Sequence, residues 1–187
     1  RGIEPSMRWR QFCAELLAAC DELGGALVVT LGALPADTPH TRPIPVTGTA
    51  TEPDLVDRLK LEQSTYEGPT GIVGVFQDAC VRLDIPAVSY WAAVPHYVAQ
   101  APCPKATLAL LGQLEDLLEA SIPLGDLPED ARAWERGVDE LAEEDEDVAD
   151  YVRALEETRD TTDLPEASGE AIAREFERYL KRRQDEG

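Results

Sequence analysis

Four residues of this sequence have side chains or positions suited to ligand chemistry, and two of them are adjacent. Thr70 and Gly71 end a Gly-Pro-Thr-Gly run just ahead of a helical pattern. Backbone N–H groups at the start of a helix can bind an anion, so these two residues are candidate ligand-binding positions. An ordinary N-cap at Thr70, followed by a tight turn, would explain the same residues without a ligand. Both interpretations stay open.

The other two candidates are Arg42 and His96. His96 follows Pro95 at the end of a predicted strand, where a general base could stand, but the sequence identifies no acid to pair with it. A structural histidine is therefore the alternative. Arg42 lies in the proline-rich stretch 37–43 and could pair with an anion or face solvent, and His40 in the same stretch is a weaker candidate. Since open α/β sheets bind ligands outside the carboxyl ends of their strands, these residues suggest a strand-end cleft for a nucleoside-like or anionic ligand.

The sequence lacks the usual patterns of a catalytic or metal centre. It has no nucleophile paired with a base, no phosphate-binding loop and no Cys/His spacing typical of a metal site, so we predict no catalytic residue, metal or cofactor. Cys13 and Cys20 lie on one predicted helix, about 10.5 Å apart along its axis, too far to bond to each other. We interpret them, together with Cys80 and Cys103, as free and mostly buried thiols, with reactive thiols as the alternative.

The elements that would position the candidate residues alternate between helix and strand. Apolar residues recur at helical spacing over 72–83, and the apolar run 87–94 that follows is typical of a strand covered on both faces. A second helical stripe over 9–23, ended by Gly24 and Gly25, leads into a short buried strand at 26–31. Helix followed by strand, repeated, predicts an α/β fold with a mostly parallel sheet.

Further elements are weaker or lie outside this pattern. Residues 44–49 are a possible third strand, and a leucine stripe over 110–118, entered through Pro102 and Pro104, predicts another helix against the sheet. The connection 32–48 is long for a compact domain, which favours a functional or contact role. Because the first helix begins close to Arg1, we also expect at least one further strand before that residue.

Acidity is concentrated in the last third of the chain. The whole sequence has a formal net charge of −20, and the segment 126–170 holds 18 Asp or Glu against 4 Arg and no Lys. Such a field repels phosphate backbones and anionic lipid heads, so nucleic-acid and membrane binding are disfavoured. The charge run indicates either a solvated helical face or a surface for a basic partner.

The acidic segment nevertheless has helical signals. A thin apolar stripe with 4,3 spacing is broken once at Asp145 and consists of Trp134, Val138, Leu141, Val148, Val152 and Leu155. The tetrapeptide Asp-Leu-Pro-Glu occurs at 126–129 and again at 163–166, where each copy resembles a capping-box helix start. We therefore predict an α/β domain over 1–124 and an acidic, antiparallel helical appendage over 125–187.

Neither a membrane span nor a secretory signal is visible in this sequence. No window approaches the roughly 18 consecutive apolar residues that a spanning helix needs, and no basic region followed by an apolar one begins the chain. We therefore predict a cytoplasmic protein.

Several long segments in order carry a family resemblance. They are EPSMRWRQFCAELLAACDELG, LVVTLGALPADTPHTRPIPVTGTA, YEGPTGIVGV and IPAVSYWAAVPHYV. Over residues 1–120 the chain resembles the actinobacterial branch of the proteasome assembly chaperone 2 (PAC2) family, and the acidic tail is similar to that of those members. The resemblance implies a three-layer α/β/α domain similar to nucleoside phosphorylases and hydrolases, with N-terminal strands before Arg1. It also implies self-association or pairing with a related chain.

The resemblance carries one departure. Eukaryotic relatives escort proteasome α-subunits, and some relatives end in a hydrophobic-Tyr-any tripeptide that docks in proteasome pockets. This sequence ends in Asp185-Glu186-Gly187 instead, which argues against docking through the tail.

Two functions of different classes follow. The first is a non-catalytic assembly or scaffold protein, which we expect to form a homo-oligomer and to bind a protein partner. The alternative is a small-molecule binder or enzyme that takes a nucleoside-like or anionic ligand at the strand-end cleft.

Overall fold

The computed structural model describes residues 4–61, 71–98 and 101–163. Over these residues the chain forms helices and strands in mixed order, which confirms the predicted α/β class. In chain order the elements are α1 Trp9–Glu22, β1 Val28–Ala36, β2 Val46–Ala50, α2 Pro53–Leu59, α3 Ile72–Arg82, β3 Ala87–Pro95, a 3-10 helix His96–Val98, α4 Pro104–Leu118, α5 Leu127–Glu144 and α6 Glu146–Asp163.

The three described strands form one sheet in the order β1-β3-β2. β1 runs parallel to β3, because the Val28 N–H donates to the Pro86 carbonyl at 2.9 Å and the Thr30 hydroxyl donates to Ser89 Oγ at 2.8 Å. The residue numbers of the bonded pairs increase in the same direction along both strands. A parallel pair requires a crossover between its strands, and α3 lies within that connection.

β2 runs antiparallel to β3. The Thr51 N–H donates to the Ala87 carbonyl at 3.0 Å, whereas the Ala93 N–H donates to the Pro45 carbonyl at 2.9 Å. The described sheet is therefore mixed, and the predicted mostly parallel sheet is not confirmed. The three-layer arrangement also stays a prediction.

The central strand is the apolar run that the sequence predicts as covered on both faces. On one face of β3, Val88, Tyr90 and Ala92 are at most 1% exposed; on the other face Ala87 and Ser89 are equally buried, whereas Trp91 and Ala93 are only partly buried. β1 differs from its prediction, because it begins at Val28 and extends to Ala36. It is an edge strand with one neighbour in the described sheet, and Leu31, which the sequence predicts as buried, is 44% exposed.

The chain divides into two compact units. The first consists of Arg1–Gly32 and Thr47–Trp91, and the second of Ala33–Val46 and Ala92–Gly187. In the first unit α1 packs against α3, with a buried core that includes Cys13, Leu17, Phe76 and Cys80. In the second, α4 packs against α5 and α5 against α6, and Ile44, Ala92 and Ala106 form a buried cluster. The division at residues 124 and 125 stays a prediction.

Two helix starts differ from their sequence prediction. The N-cap of α3 is Gly71, so the prediction of Thr70 as N-cap is wrong, and Thr70 itself lies outside the described residues. The short helix α2 was not predicted; it begins with Pro53 in its first turn, where a missing N–H costs nothing.

The acidic stripe forms two helices in place of one. α5 ends at Glu144 and α6 begins at Glu146, and the single break in the stripe, Asp145, has an extended backbone (φ −130°, ψ 108°). The Asp145 carboxylate accepts a hydrogen bond from the Asp147 N–H at 3.0 Å, as an N-cap of α6. α5 begins after Asp126 as the tetrapeptide predicts, but no side-chain cap forms there. The helix predicted after the second tetrapeptide lies outside the described residues.

The remaining chain-wide expectations concern thiols and membranes. Cys13, Cys20, Cys80 and Cys103 are free, as predicted. Among the described helices, none combines the length and the apolar character that crossing a bilayer requires.

Candidate functional site

The predicted anion site at the start of α3 faces a carboxylate from the same chain. Glu4 Oε1 accepts a hydrogen bond from the Ile72 N–H at 3.3 Å, and a Cβ on Gly71 would lie 3.5 Å from that oxygen. A helix N-terminus favours negative charge, and Glu4 supplies it here. Gly71 therefore forms an internal contact, while Thr70 lies outside the described residues.

The structure places the other two predicted residues, Arg42 and His96, in the second unit, together with the weaker candidate His40. All three belong to a polar cluster around the connection 37–45 between β1 and β2, which receives partners from the end of β3 and from α4, α5 and α6. The cluster has three parts, centred on His96, Arg42 and His40.

His96 lies at the solvent side of the cluster and has an acid partner. Its Nδ1 is 3.1 Å from Asp37 Oδ1, and the side chains of His96 and Asp37 are 45% and 78% exposed. The Tyr151 hydroxyl donates to the same Asp37 oxygen at 3.1 Å. Desolvation of the phenol, and then this hydrogen bond, raise the pKa of Tyr151. A carboxylate that orients a histidine is the geometry of a general base.

Arg42 is held by two carboxylates of α6. Its Nε and one terminal nitrogen donate to the two oxygens of Asp160, both at 2.8 Å, and its other terminal nitrogen donates to Glu156 at 3.1 Å. The Thr41 hydroxyl also donates to Glu156. The hydrogen bond from Arg42 lowers the pKa of Asp160, and the same bond raises the pKa of Arg42. Arg42 does pair with anions, as one alternative predicted, but those anions are side chains of this chain.

His40 forms the buried centre of the cluster and is only 1% exposed. Its Nδ1 and its backbone N–H both lie 2.8 Å from the Tyr97 hydroxyl, and its Nε2 lies 2.9 Å from Asp139. One arrangement satisfies every group: the Tyr97 O–H donates to Nδ1, the Tyr97 oxygen accepts the backbone N–H, and Nε2–H donates to the carboxylate. Burial raises the pKa of Tyr97 to about 12, so the phenol stays protonated at neutral pH.

Lys105 closes the network from α4. Its ammonium donates to the His40 carbonyl at 2.5 Å and to Glu135 of α5 at 2.6 Å, and its side chain is only 18% exposed. The backbone at His40 is therefore fixed to α4, to α5 and to Tyr97 in the 3-10 helix that follows β3. We name His40, Tyr97, Asp139, Lys105 and Glu135 the His40 network.

His40, Arg42 and Lys105 use their polar groups on internal partners. Burial raises the pKa of the Cys103 thiol, which disfavours the nucleophilic thiolate, and the same cause acts on Cys13 and Cys80. Within residues 4–61, 71–98 and 101–163, no group of three or more His, Cys, Asp or Glu side chains is placed to hold a metal ion. These contacts are best suited to holding the loop 37–45 against α4, α5 and α6.

Sequence reasoning missed the acids that complete the cluster. Asp37, Asp139, Glu156 and Asp160 are the partners of His96, His40 and Arg42, and three of them lie on α5 or α6, 99 to 118 residues away. The available signal was the coincidence of Arg42 and two histidines in one loop with an acidic helical segment downstream. That signal does not select particular acids.

The fold and the site together define a class: a mixed α/β protein in which buried and charged hydrogen bonds hold a loop against an acidic pair of helices. The model of the PAC2 family matches residues 1–142, and the chain belongs to that family. No curated protein matches the chain.

Solved structures of actinobacterial proteins are similar to it. A PAC2 family protein from Streptomyces avermitilis has 66% sequence identity and a TM-score of 0.75, with 81% of this chain and 64% of that chain covered. The proteasome-assembly chaperone homologue Rv2125 from Mycobacterium tuberculosis has 58% identity and a TM-score of 0.72, with the same coverage of 81% and 64%. The chain thus spans less than two thirds of the length of these relatives.

A more distant likeness concerns the fold alone. PbaA from Pyrococcus furiosus, an archaeal homologue of proteasome-assembly chaperone, has 14% identity and a TM-score of 0.58, with 75% of this chain and 63% of that chain covered.

Proposed function

We propose that this chain is a non-catalytic assembly or scaffold protein that acts by binding another protein chain. The observation that carries the proposal is membership of the PAC2 family together with 58% identity to a proteasome-assembly chaperone homologue. Assembly and scaffold proteins act by binding other chains, so the fold must hold the binding surface in a fixed conformation.

The geometry of the cluster supports this function. Arg42, His40 and Lys105 are occupied by intramolecular partners, and Tyr97 is kept neutral, so these groups stabilise one arrangement of the loop on the helices. A rigid loop costs little conformational entropy when a partner binds to it, which favours association.

The oligomer and the location are part of the same proposal. We propose a homo-oligomer in the cytoplasm, built on a three-layer α/β/α domain with an acidic helical appendage over 125–187. Light scattering coupled to size exclusion should give a mass above 20.5 kDa, the mass of one chain.

The test uses the unassembled α- and β-subunits of an actinobacterial proteasome as first candidate partners. The full chain should form a complex with a subunit in analytical ultracentrifugation and change the rate of core-particle assembly on native gels. An unrelated protein of similar size and negative charge is the control, because it reproduces the charge without the surface. A chain that stays monomeric and forms no complex with either subunit contradicts the proposal.

One observation favours the alternative, a binder or enzyme for a nucleoside-like or anionic ligand. His96 follows β3 and pairs with Asp37 in an exposed position, where a ligand could reach both. Against it, Glu4 stands at the start of α3, and Arg42 is paired with Asp160. Thermal shifts with nucleosides, nucleotides and phosphate test this alternative. A shift that His96→Gln abolishes would favour it over the scaffold.

A further inference from the structure

An apolar groove lies where α5 meets α6, within the second unit. It has an open volume of about 420 Å³, and its apolar wall comes from Val98, Val138, Leu141 and Val148, with Tyr97 beside them. Val138 is 3% exposed and forms the floor, whereas Leu141 is 57% exposed and stands at the opening. The Tyr97 hydroxyl is tied to His40, so this wall is held in place before any ligand arrives.

The rim of the groove is negatively charged. Glu144 and Asp145 line it, and they belong to a run of five consecutive acids over 143–147. All five of these side chains are exposed, and the nearest basic residues in sequence, Arg136 and Arg153, are outside the run. An apolar floor bordered on one side by the exposed carboxylates of Glu144 and Asp145 matches an apolar side chain that is flanked by positive charge.

The placement of two of these acids is unfavourable in the free chain. Glu143 and Glu144 lie in the last turn of α5, which holds no basic residue, and the C-terminal end of a helix carries partial negative charge. Glu146 and Asp147 lie in the first turn of α6, where the helix dipole stabilises them. A cation bound at the rim would relieve the repulsion between these acids and the end of α5, because the last turn of that helix holds no basic residue of its own.

We propose that this groove docks a basic amphipathic segment of a partner protein, one that inserts aliphatic or aromatic side chains over Val138 and places Lys or Arg against residues 143–147. The proposal rests on the proposed function and names the surface and the kind of partner that it would use. The same carboxylates repel nucleic acids, acidic peptides and anionic lipids, which leaves a cationic protein segment as the class that fits both the floor and the rim.

The experiment measures binding of the full chain to a fluorescein-labelled helical peptide of about 14 residues, with leucines at i, i+3, i+4 and i+7 and lysine elsewhere. Fluorescence polarisation at about 50 mM and about 300 mM salt gives the affinity and its screening. A peptide with glutamate in place of each lysine should not bind.

A matched pair of exposed leucines locates the site. Leu141→Ala removes the side chain at the opening, and Leu118→Ala removes one of nearly equal exposure, 57% against 56%, at the end of α4. We expect Leu141→Ala to weaken binding about 5- to 10-fold, because it removes apolar area that the peptide would cover, and Leu118→Ala to leave it unchanged.

A second pair tests the rim. Glu143→Gln with Glu144→Gln should weaken binding about 5-fold at low salt and less at high salt. Glu129→Gln with Asp130→Asn removes the same charge about 20 Å away along α5 and should have little effect.

Three outcomes overturn the proposal. The first is absence of binding, or equal weakening by both members of a pair. The second is binding that appears only after Lys181, Arg182 and Arg183 are changed to Gln, since the groove would then be filled by this chain's own basic end. The third is a self-associated chain that Leu141→Ala makes monomeric, since a second copy would then be the occupant. If the groove fails while the chain still forms a complex with proteasome subunits, the inference falls and the proposed function stands.

Discussion

Replacement of Tyr97 by Phe isolates the contribution of the His40 network to stability. The Tyr97 hydroxyl lies 2.8 Å from both the backbone nitrogen and Nδ1 of His40, a residue that is 1% exposed. Tyr97→Phe keeps the ring and leaves two buried polar groups without a partner. Each such group costs about 1–3 kcal/mol, and because Tyr97 is only half-buried we expect a loss of about 2–3 kcal/mol in the free energy of unfolding.

The assay is urea denaturation followed by circular dichroism at the helical band, with the midpoint and slope fitted for each variant. Tyr151→Phe is the matched control, because it removes a hydroxyl that donates one exposed hydrogen bond to Asp37, and it should cost less than about 1 kcal/mol. Equal costs for the two variants at an unchanged slope would refute the assignment of Tyr97 and His40 as a stabilising buried network.

Further expectations concern charge and pH. The pKa of Asp160 lies below its ordinary value because of the hydrogen bond from Arg42. This pair therefore stabilises the folded chain at pH values above the ordinary carboxyl pKa, and that stabilisation is lost as the pH falls through the lowered pKa. In Arg42→Gln, carbon NMR should show that the pKa of Asp160 rises. The pKa of Tyr97 at about 12 means that its contribution is present below the ordinary phenol pKa and lost as pH rises through 12, which carbon NMR of labelled tyrosine checks. Glu143→Gln with Glu144→Gln should raise the free energy of unfolding by about 0.5–2 kcal/mol, measured by urea denaturation, because it removes carboxylates from a helix C-terminus.

Each of these expectations has its own control. Lys105→Gln leaves Asp160 untouched, so a shift of the Asp160 pKa in that variant would contradict the Arg42 assignment. Tyr97→Phe must remove the late-titrating NMR signal, and its persistence would assign that pKa to another tyrosine. Glu146→Gln with Asp147→Asn should destabilise, since those acids lie at the start of α6. If the two double variants, at 143 and 144 and at 146 and 147, changed the free energy of unfolding in the same direction, the explanation by the helix dipole would be wrong.

Much of the fold was predictable because its signals are local. The stripes that mark α1, α3 and α4 and the apolar run of β3 depend on residues within one element, and the boundaries in the structure follow those patterns. The sequence predicts a buried strand at 26–31, whereas β1 covers Val28–Ala36 and Leu31 is exposed, because its exposure depends on which strand lies beside it. That neighbour is a property of topology, which a window of residues does not contain.

The site was less predictable than the fold. Arg42 and His96 were recognised as candidates, but their partners are chosen by folding: Arg42 meets Asp160 across 118 residues, among many acids of similar exposure. The sequence favours His96 over His40 as a candidate, yet His40 is the residue that the fold buries. A proline-rich stretch reads as surface from composition alone, whereas here the histidine has enough hydrogen-bond partners to enter the interior.

The hydrogen bonds that hold the loop 37–45 differ in solvent exposure along its length. The bonds between Arg42 and Asp160 lie at the surface and are open to screening by salt, whereas the backbone and ring of His40 are enclosed. At a low concentration of denaturant, the loop should unfold locally first at Arg42, while the hydrogen bonds of His40 remain formed. Amide hydrogen exchange would record that order as early deuteration at residue 42 and late deuteration at residue 40.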